Sequence, residues 1–95
     1  MPHYVYILAS RPGGALYVGR TGDLRTRLAA HRAKASDHTA RYAIDRLVWF
    51  EAHGEFDPSL RRERAIKRWR RAWKDKLVAS ANPGWEDIAH LIPDD

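Results

Sequence analysis

The sequence predicts an α+β fold, with a small three-stranded, mostly antiparallel sheet flanked by helices. Three observations carry this. Short runs rich in β-branched and aromatic residues occur at 4–9, 16–18 and 47–50. Only a few turn residues separate the first two runs, too few for the crossover that a parallel pair needs. The later segments repeat their apolar residues with the period of a helix rather than a strand. The order is therefore strand, strand, helix, strand, helix, which belongs to the α+β class.

The first strand is Tyr4-Val5-Tyr6-Ile7-Leu8-Ala9. Arg11-Pro12-Gly13-Gly14 is turn chemistry, with proline fixing φ and glycine allowing it to be positive. Leu16-Tyr17-Val18 returns antiparallel and Gly19 closes it. Thr21 and Asp23 are both suited to cap a helix running to about Ala35. At 3.6 residues per turn, Leu24, Arg27, Leu28 and His31 share one face of that helix, so an arginine and a histidine lie along its buried stripe. Ser36 to Ala43 reads as a loop and Leu47-Val48-Trp49-Phe50 as the third strand. Asp57-Pro58 predicts a second helix, with Asp57 as cap and Pro58 first in the helix. Ile66, Trp69, Trp73 and Leu77 fall within about 80° of its circumference as a core-facing stripe. Glu63 lies at the edge of that stripe, with Lys67, Arg70 and Lys74 on the flank beyond. Asn82-Pro83-Gly84 ends the helix, and Trp85 to Leu91 is expected to form a last short turn capping the core.

Ninety-five residues are the length of one domain with one modest core. Four tryptophans, four tyrosines and two phenylalanines supply much of the area it can bury. Without cysteine there is no disulfide framework and no thiolate metal site. His3, His38, His53 and His90 have no metal-ligand spacing. No signal-peptide pattern opens the chain and no apolar run spans a bilayer, so the expectation is a cytoplasmic protein with no membrane partner. The net charge is +5, and nine of the sixteen residues from Arg61 to Lys76 are basic against two acidic, Glu63 and Asp75. Such a surface attracts phosphate without regard to sequence, although a merely solvated basic helix would look the same.

Several of these residues form an ordered set. Tyr4-Val5-Tyr6 and Tyr17-Val18-Gly19 are followed by Thr21, Leu24, Arg27, Leu28 and His31. Then come Glu51 at the end of a strand, Leu60-Arg61-Arg62-Glu63, Lys67, Trp69, Lys74, Leu77 and Asn82-Pro83-Gly84-Trp85. The set resembles the GIY-YIG nuclease signature over nearly the whole chain. The resemblance is to the small stand-alone bacterial branch, akin to the nuclease domain of UvrC. Tyr4 stands where the family name has glycine, and Val5 and Val18 stand for isoleucine, a conservative change in a strand. On this reading residues 2–79 are a GIY-YIG-like nuclease domain and 80–95 a tail packed on it.

The resemblance implies a metal-dependent endonuclease of nucleic acid, structure-selective and acting in DNA repair or recombination, with DNA favoured over RNA. A protein partner would supply specificity. The expected catalytic residues are Tyr6, Tyr17, Arg27, His31 and Glu63. Glu63 is the expected ligand of Mg²⁺ or Mn²⁺, as a hard carboxylate for an ion that takes few protein ligands. Arg27 is the fixed, planar cation that phosphate recognition favours. Tyr6 and Tyr17 are expected in the same cleft, one of them positioning or deprotonating water once nearby cations depress its pKa. His31 would accept a proton or orient a tyrosine hydroxyl. Arg20, Lys67, Arg70 and Lys74 would contact the nucleic-acid backbone, which carries no sequence information. Simpler readings stand beside each: Glu63 paired with Arg27 or Lys67, Arg27 with Glu63 or Asp23, the tyrosines and His31 as core. Asn82 belongs either to the site or only to the end of the helix. Two other classes remain open: a nucleic-acid-binding protein that keeps the fold without catalysis, and a protein-interaction module anchored on an exposed ring such as Trp85.

Overall fold

The computed structural model describes residues 2–33 and 43–94. Strand β1 (His3–Ala9) is the centre of a three-stranded sheet, between β2 (Leu16–Thr21) and β3 (Arg46–His53) in the order β2-β1-β3. Both pairings are antiparallel. Helix α1 (Leu24–Arg32) follows β2, while α2 (Phe56–Arg68) and α3 (Arg71–Ala81) follow β3, with a 3₁₀ turn at Ala89–Leu91.

Burial on both faces explains why β1 is apolar without interruption. Tyr4, Tyr6 and Leu8 pack with Leu24 and Leu28 of α1 and with Ile92. The alternate residues Val5, Ile7 and Ala9 pack with Ile66 of α2, Val78 of α3 and Trp85. The hairpin between β1 and β2 closes as its residues dictate. Gly13 has φ +70° and the Gly14 amide donates to the Arg11 carbonyl at 2.9 Å. The Asp23 side chain caps α1, accepting from the Thr26 amide at 3.1 Å. That helix ends at Arg32 with Ala33 as its C-cap, short of the expected end near Ala35; residues 34–42, with most of the expected loop, lie outside the described residues.

The long second helix differs from expectation in two ways. Its cap is Glu55 rather than Asp57, so Asp57 and Pro58 sit inside the first turn, where amides lack helical partners anyway. It also breaks in two: Trp69 (ψ 151°) ends α2 and Arg70 (ψ 152°) begins α3. No glycine or proline marks the break. The reason is tertiary. A straight helix from Phe56 to Ala81 would be about 39 Å long, whereas the longest dimension of the molecule is 31 Å. The break lets α2 cover all three strands and α3 fold back on β3. It also splits the apolar stripe, because Ile66, Trp69 and Leu77 stay on the core while Trp73 turns outward and is 54% exposed. Trp85 is buried, as a segment capping the core requires and against the exposed anchor of the interaction-module reading, while only Ala89–Leu91 of the expected Trp85–Leu91 turn is helical.

Asn82 explains how the last segment is held. Its amide donates to the carbonyls of Val48 (3.1 Å) and Glu86 (2.8 Å), and its side-chain oxygen accepts from the Glu86 amide at 3.1 Å. Further on, the Ile88 amide bonds the Leu47 carbonyl at 2.8 Å, so the segment covers part of the outer edge of β3. Among the described residues, no helix is long and apolar enough to cross a membrane.

Candidate active site

The pairing of β1 with β2 sets Tyr6 opposite Gly19 and Leu8 opposite Tyr17. Tyr6, Tyr17 and Gly19 therefore project to the same side of the sheet, the side covered by α1. A Cβ at Gly19 would lie 2.5 Å from the Tyr6 hydroxyl and 2.9 Å from the Tyr17 ring. Only glycine lets the phenol of Tyr6 settle over the backbone of this edge strand. From the facing helix, Arg27 and His31 are one turn apart and meet the same two rings. The His31 ring lies 4.9 Å from that of Tyr17 and 5.9 Å from that of Tyr6, centroid to centroid. The Arg27 guanidinium is within hydrogen-bonding reach of both phenol oxygens.

The protonation states follow from burial. Tyr6 is 1% exposed, and burial pushes its phenol up to about 12; Arg27 pulls the other way without prevailing. The expectation that cations would depress a tyrosine here is thus reversed at Tyr6. His31 is driven below the usual histidine range, first by burial and then by the charge of Arg27. A 3.0 Å hydrogen bond joins the protonated phenol and the neutral imidazole through Tyr6 Oη and His31 Nε2, and the His31 tautomer sets which of the two donates.

Glu63 approaches differently. Arg20 follows Gly19 in β2 and points to the other side of the sheet, where α2 lies. There the Glu63 carboxylate, 13% exposed, lies 3.9 Å from Arg20 Nε and accepts from Lys67 Nζ at 2.7 Å. Its link to the α1 side is electrostatic, since the negative charge of Glu63 contributes to raising Tyr6. Four of the five expected catalytic residues thus touch one another, and the charge of the fifth, Glu63, is felt at Tyr6.

The expected backbone contacts are already engaged within the chain. Arg20 stacks over Phe56 with its guanidinium carbon 4.5 Å from the ring centre, an aromatic partner with no motif or spacing to mark it beforehand. Its Nε is buried with no hydrogen-bond partner. Arg70 lies over Trp73 at 5.8 Å, and Lys74 Nζ donates to the Lys67 carbonyl at 3.4 Å. Asn82 serves the tail rather than the tyrosine cluster.

Among the described residues no group of three or more His, Cys, Asp or Glu is placed to hold a metal. The donor set fits a narrower class of ion. One shielded carboxylate suits a hard divalent cation such as Mg²⁺ or Mn²⁺ that completes its shell with water and substrate phosphate, and does not suit a zinc or copper centre, which takes thiolate or imidazole ligands.

Residues 2–76 match the model of the GIY-YIG catalytic domain. A UPF0213 protein of Serratia liquefaciens is 32% identical over 94 residues, which is 98% of this chain and 88% of that protein. Another, from Streptococcus pneumoniae, is 29% identical over 77 residues, 80% of this chain and 77% of that one. The solution NMR structure of a UPF0213 protein from Bacillus halodurans has 30% identity and a TM-score of 0.59, covering 99% of this chain and 100% of its own. Sheet order, the glycine beneath the Tyr6 phenol and these likenesses agree, and the chain belongs to the GIY-YIG family of nucleases.

Proposed function

We propose that the protein is an endonuclease that hydrolyses phosphodiester bonds with a divalent cation, Mg²⁺ or Mn²⁺, held on Glu63. The observation that carries this reading is the meeting of Tyr6, Tyr17, Arg27 and His31 beside Gly19, with the charge of Glu63 felt at the Tyr6 phenol. The bound cation would supply charge neutralisation at the phosphate.

The chain's own residues would divide the remaining work. Arg27 is exposed, and its guanidinium has donors beyond those aimed at the phenols, so it meets a phosphate oxygen. Tyr17 is the less buried of the two phenols and orients the attacking water. Tyr6 keeps its proton and fixes the His31 ring, making it a positioning residue. Neutral His31 has an unprotonated nitrogen, so the proton released as water attacks phosphorus ends there. The bond from phosphorus to the leaving sugar oxygen breaks as the new one forms, with no covalent enzyme intermediate. The basic surface around Arg70 and Lys74 holds the backbone and reads no sequence. DNA is favoured over RNA, and structure-selective cutting in cytoplasmic DNA repair or recombination suits such a site, with a protein partner providing specificity.

One observation favours a second reading. The short Glu63–Lys67 ion pair is what a non-catalytic nucleic-acid binder with this fold would retain. Incubating purified protein with labelled single-stranded, duplex, branched and hairpin DNA and RNA, with and without Mg²⁺ or Mn²⁺, separates the two. Cleavage in the presence of metal is expected. Tight binding to the panel without any cut hands the fold to the second reading.

A further inference from the structure

The helix break that turns Trp73 outward also builds a feature that the cleavage site does not use. Trp73 and Trp69 stand nearly perpendicular, at 79° with ring centroids 6.2 Å apart. Together with Leu77, Ser80 and the stem of Lys76 they line an open groove of 460 Å³ on α3. That is within the range of ligand pockets, about 300–1,000 Å³. Exposing so much of an indole forgoes the area it could bury, and nothing in the sequence prevents it from lying on the core. The walls are aromatic and the rim is cationic. Arg70 covers one part of Trp73 at 5.8 Å, Lys76 lines the groove, and Lys74 is the next residue along. Asp75, the acidic residue nearby, is neutralised by Arg71 at 2.6 Å. A protein-interface core is typically depleted of lysine, whereas aromatic rings set among cations are the composition of surfaces that stack bases and follow phosphates.

We propose that this groove is a stacking platform for an unpaired nucleobase, so that the protein takes substrates with a single-stranded segment. The base stacks on the indole of Trp73 with its edge toward Trp69, while Arg70, Lys74 and Lys76 meet the flanking phosphates. The platform connects to the cleavage site, because Lys74 bonds the backbone carbonyl of Lys67, and Lys67 holds Glu63. A base inside a duplex is stacked on both faces and has none free for Trp73, which makes the platform selective for strand structure rather than sequence. The inference rests on the nuclease reading for its consequence, the choice of substrate, but not for the binding itself.

The test is therefore made first without metal. Fluorescence anisotropy compares a labelled single-stranded oligothymidylate of about 12 nucleotides, within the range of known site sizes, with a blunt duplex carrying the same number of phosphates. Wild type is compared with Trp73→Ala and Trp73→Phe, all matched for fold by circular dichroism. Trp73→Ala should weaken single-strand binding by about 5- to 150-fold, the value of one base–aromatic stack. Duplex binding should hardly change, and Trp73→Phe should retain most of the single-strand affinity. Equal effects on both ligands, or none, overturn the platform. So does a Trp73→Ala protein that loses self-association while binding both ligands normally, since the groove would then belong to a second copy of the chain. Adding Mg²⁺ or Mn²⁺ to the same proteins keeps the two ideas apart. Single-strand binding that depends on Trp73 without cleavage refutes the nuclease and leaves the platform. Cleavage indifferent to strand structure and to Trp73 refutes the platform and leaves the nuclease.

Discussion

Tyr6→Phe removes one oxygen atom and separates two effects that the intact cluster superimposes. At neutral pH the hydroxyl is hydrogen-bonded to His31 Nε2 at 3.0 Å, between side chains that are 1% and 3% exposed. Deleting it takes this partner from a buried nitrogen, a loss of about 1–2 kcal/mol once relief from burying the hydroxyl is counted. The wild-type advantage depends on the phenol staying protonated. Its folded pKa is raised to about 12 from 10, so the folded state holds the proton more tightly than the unfolded chain. The associated stability is fully present below about pH 10 and falls as pH rises toward 12 and beyond. From those two values the loss is about 1.4 kcal/mol at pH 11 and approaches about 2.7 kcal/mol well above pH 12, as an order of magnitude. Phenylalanine has no such dependence.

Urea unfolding of both proteins from about pH 7 to pH 11.5 should therefore show wild type ahead by about 1–2 kcal/mol at first, with the gap flat to about pH 9.5 and then closing or changing sign. All other titrating groups are common to the two chains, so the difference isolates Tyr6. A gap that stays constant through pH 11.5 would refute the reasoning, because the phenol would then be as well solvated folded as unfolded.

Other outcomes are expected of the site and the tail. Glu63→Ala should abolish metal-dependent cleavage in a gel assay while metal-free binding survives or tightens, since a negative charge near the phosphate is gone; Arg27→Ala should also abolish cleavage but weaken binding only modestly. Lys67→Met should raise Mn²⁺ affinity several-fold by titration calorimetry and change stability by less than about 1 kcal/mol, because the partner it removes is half-exposed. Asn82→Ala should cost about 2–4 kcal/mol in urea unfolding, leaving the Val48 and Glu86 groups without their partner. The cleavage rate should fall as acid protonates His31, with the midpoint below about pH 6.5 because burial and Arg27 hold its pKa down. A midpoint above that value would show His31 to be more solvated than the fold implies.

Elements whose signal is local were legible in the sequence. Runs of β-branched and aromatic residues and turn chemistry placed the β1–β2 hairpin, and the α1 stripe put Arg27 and His31 beside the tyrosines, because side chains one turn apart on a helix face a common partner. What the sequence could not carry were decisions made by the whole molecule. The break at Trp69 and Arg70 has no helix-breaking residue behind it and follows from fitting twenty-six residues over a short sheet. Trp73 left the apolar stripe for the same reason: it lies where the chain has to turn, and only the packed fold decides whether its indole goes inside. Nor does residue type reveal that Gly19 is required by the Tyr6 hydroxyl above it, since a glycine ending a strand reads equally as a turn. The pKa of Tyr6 went against expectation because desolvation depends on what covers the ring, which no spacing records.

The Glu63–Lys67 pair bears on both functional readings, and its asymmetry argues for one. Glu63 is 13% exposed and sits between Arg20 and Lys67, whereas the Lys67 side chain is 51% exposed. Such a pair contributes little to stability, about 0–1 kcal/mol, while keeping a carboxylate out of water has a larger cost. As a stabilising device it is poorly made. As a way to keep a carboxylate at the sheet edge near a phosphate path it is coherent: the amine neutralises the charge while the site is at rest, and it can swing to solvent without disturbing the core. Arg20 is the partner that does not leave, being stacked on Phe56, and it keeps Glu63 from turning away when Lys67 departs. A fixed carboxylate with one permanent and one dispensable cation is an arrangement open to exchange with a divalent ion, and a protein that only binds nucleic acid has no use for that exchange.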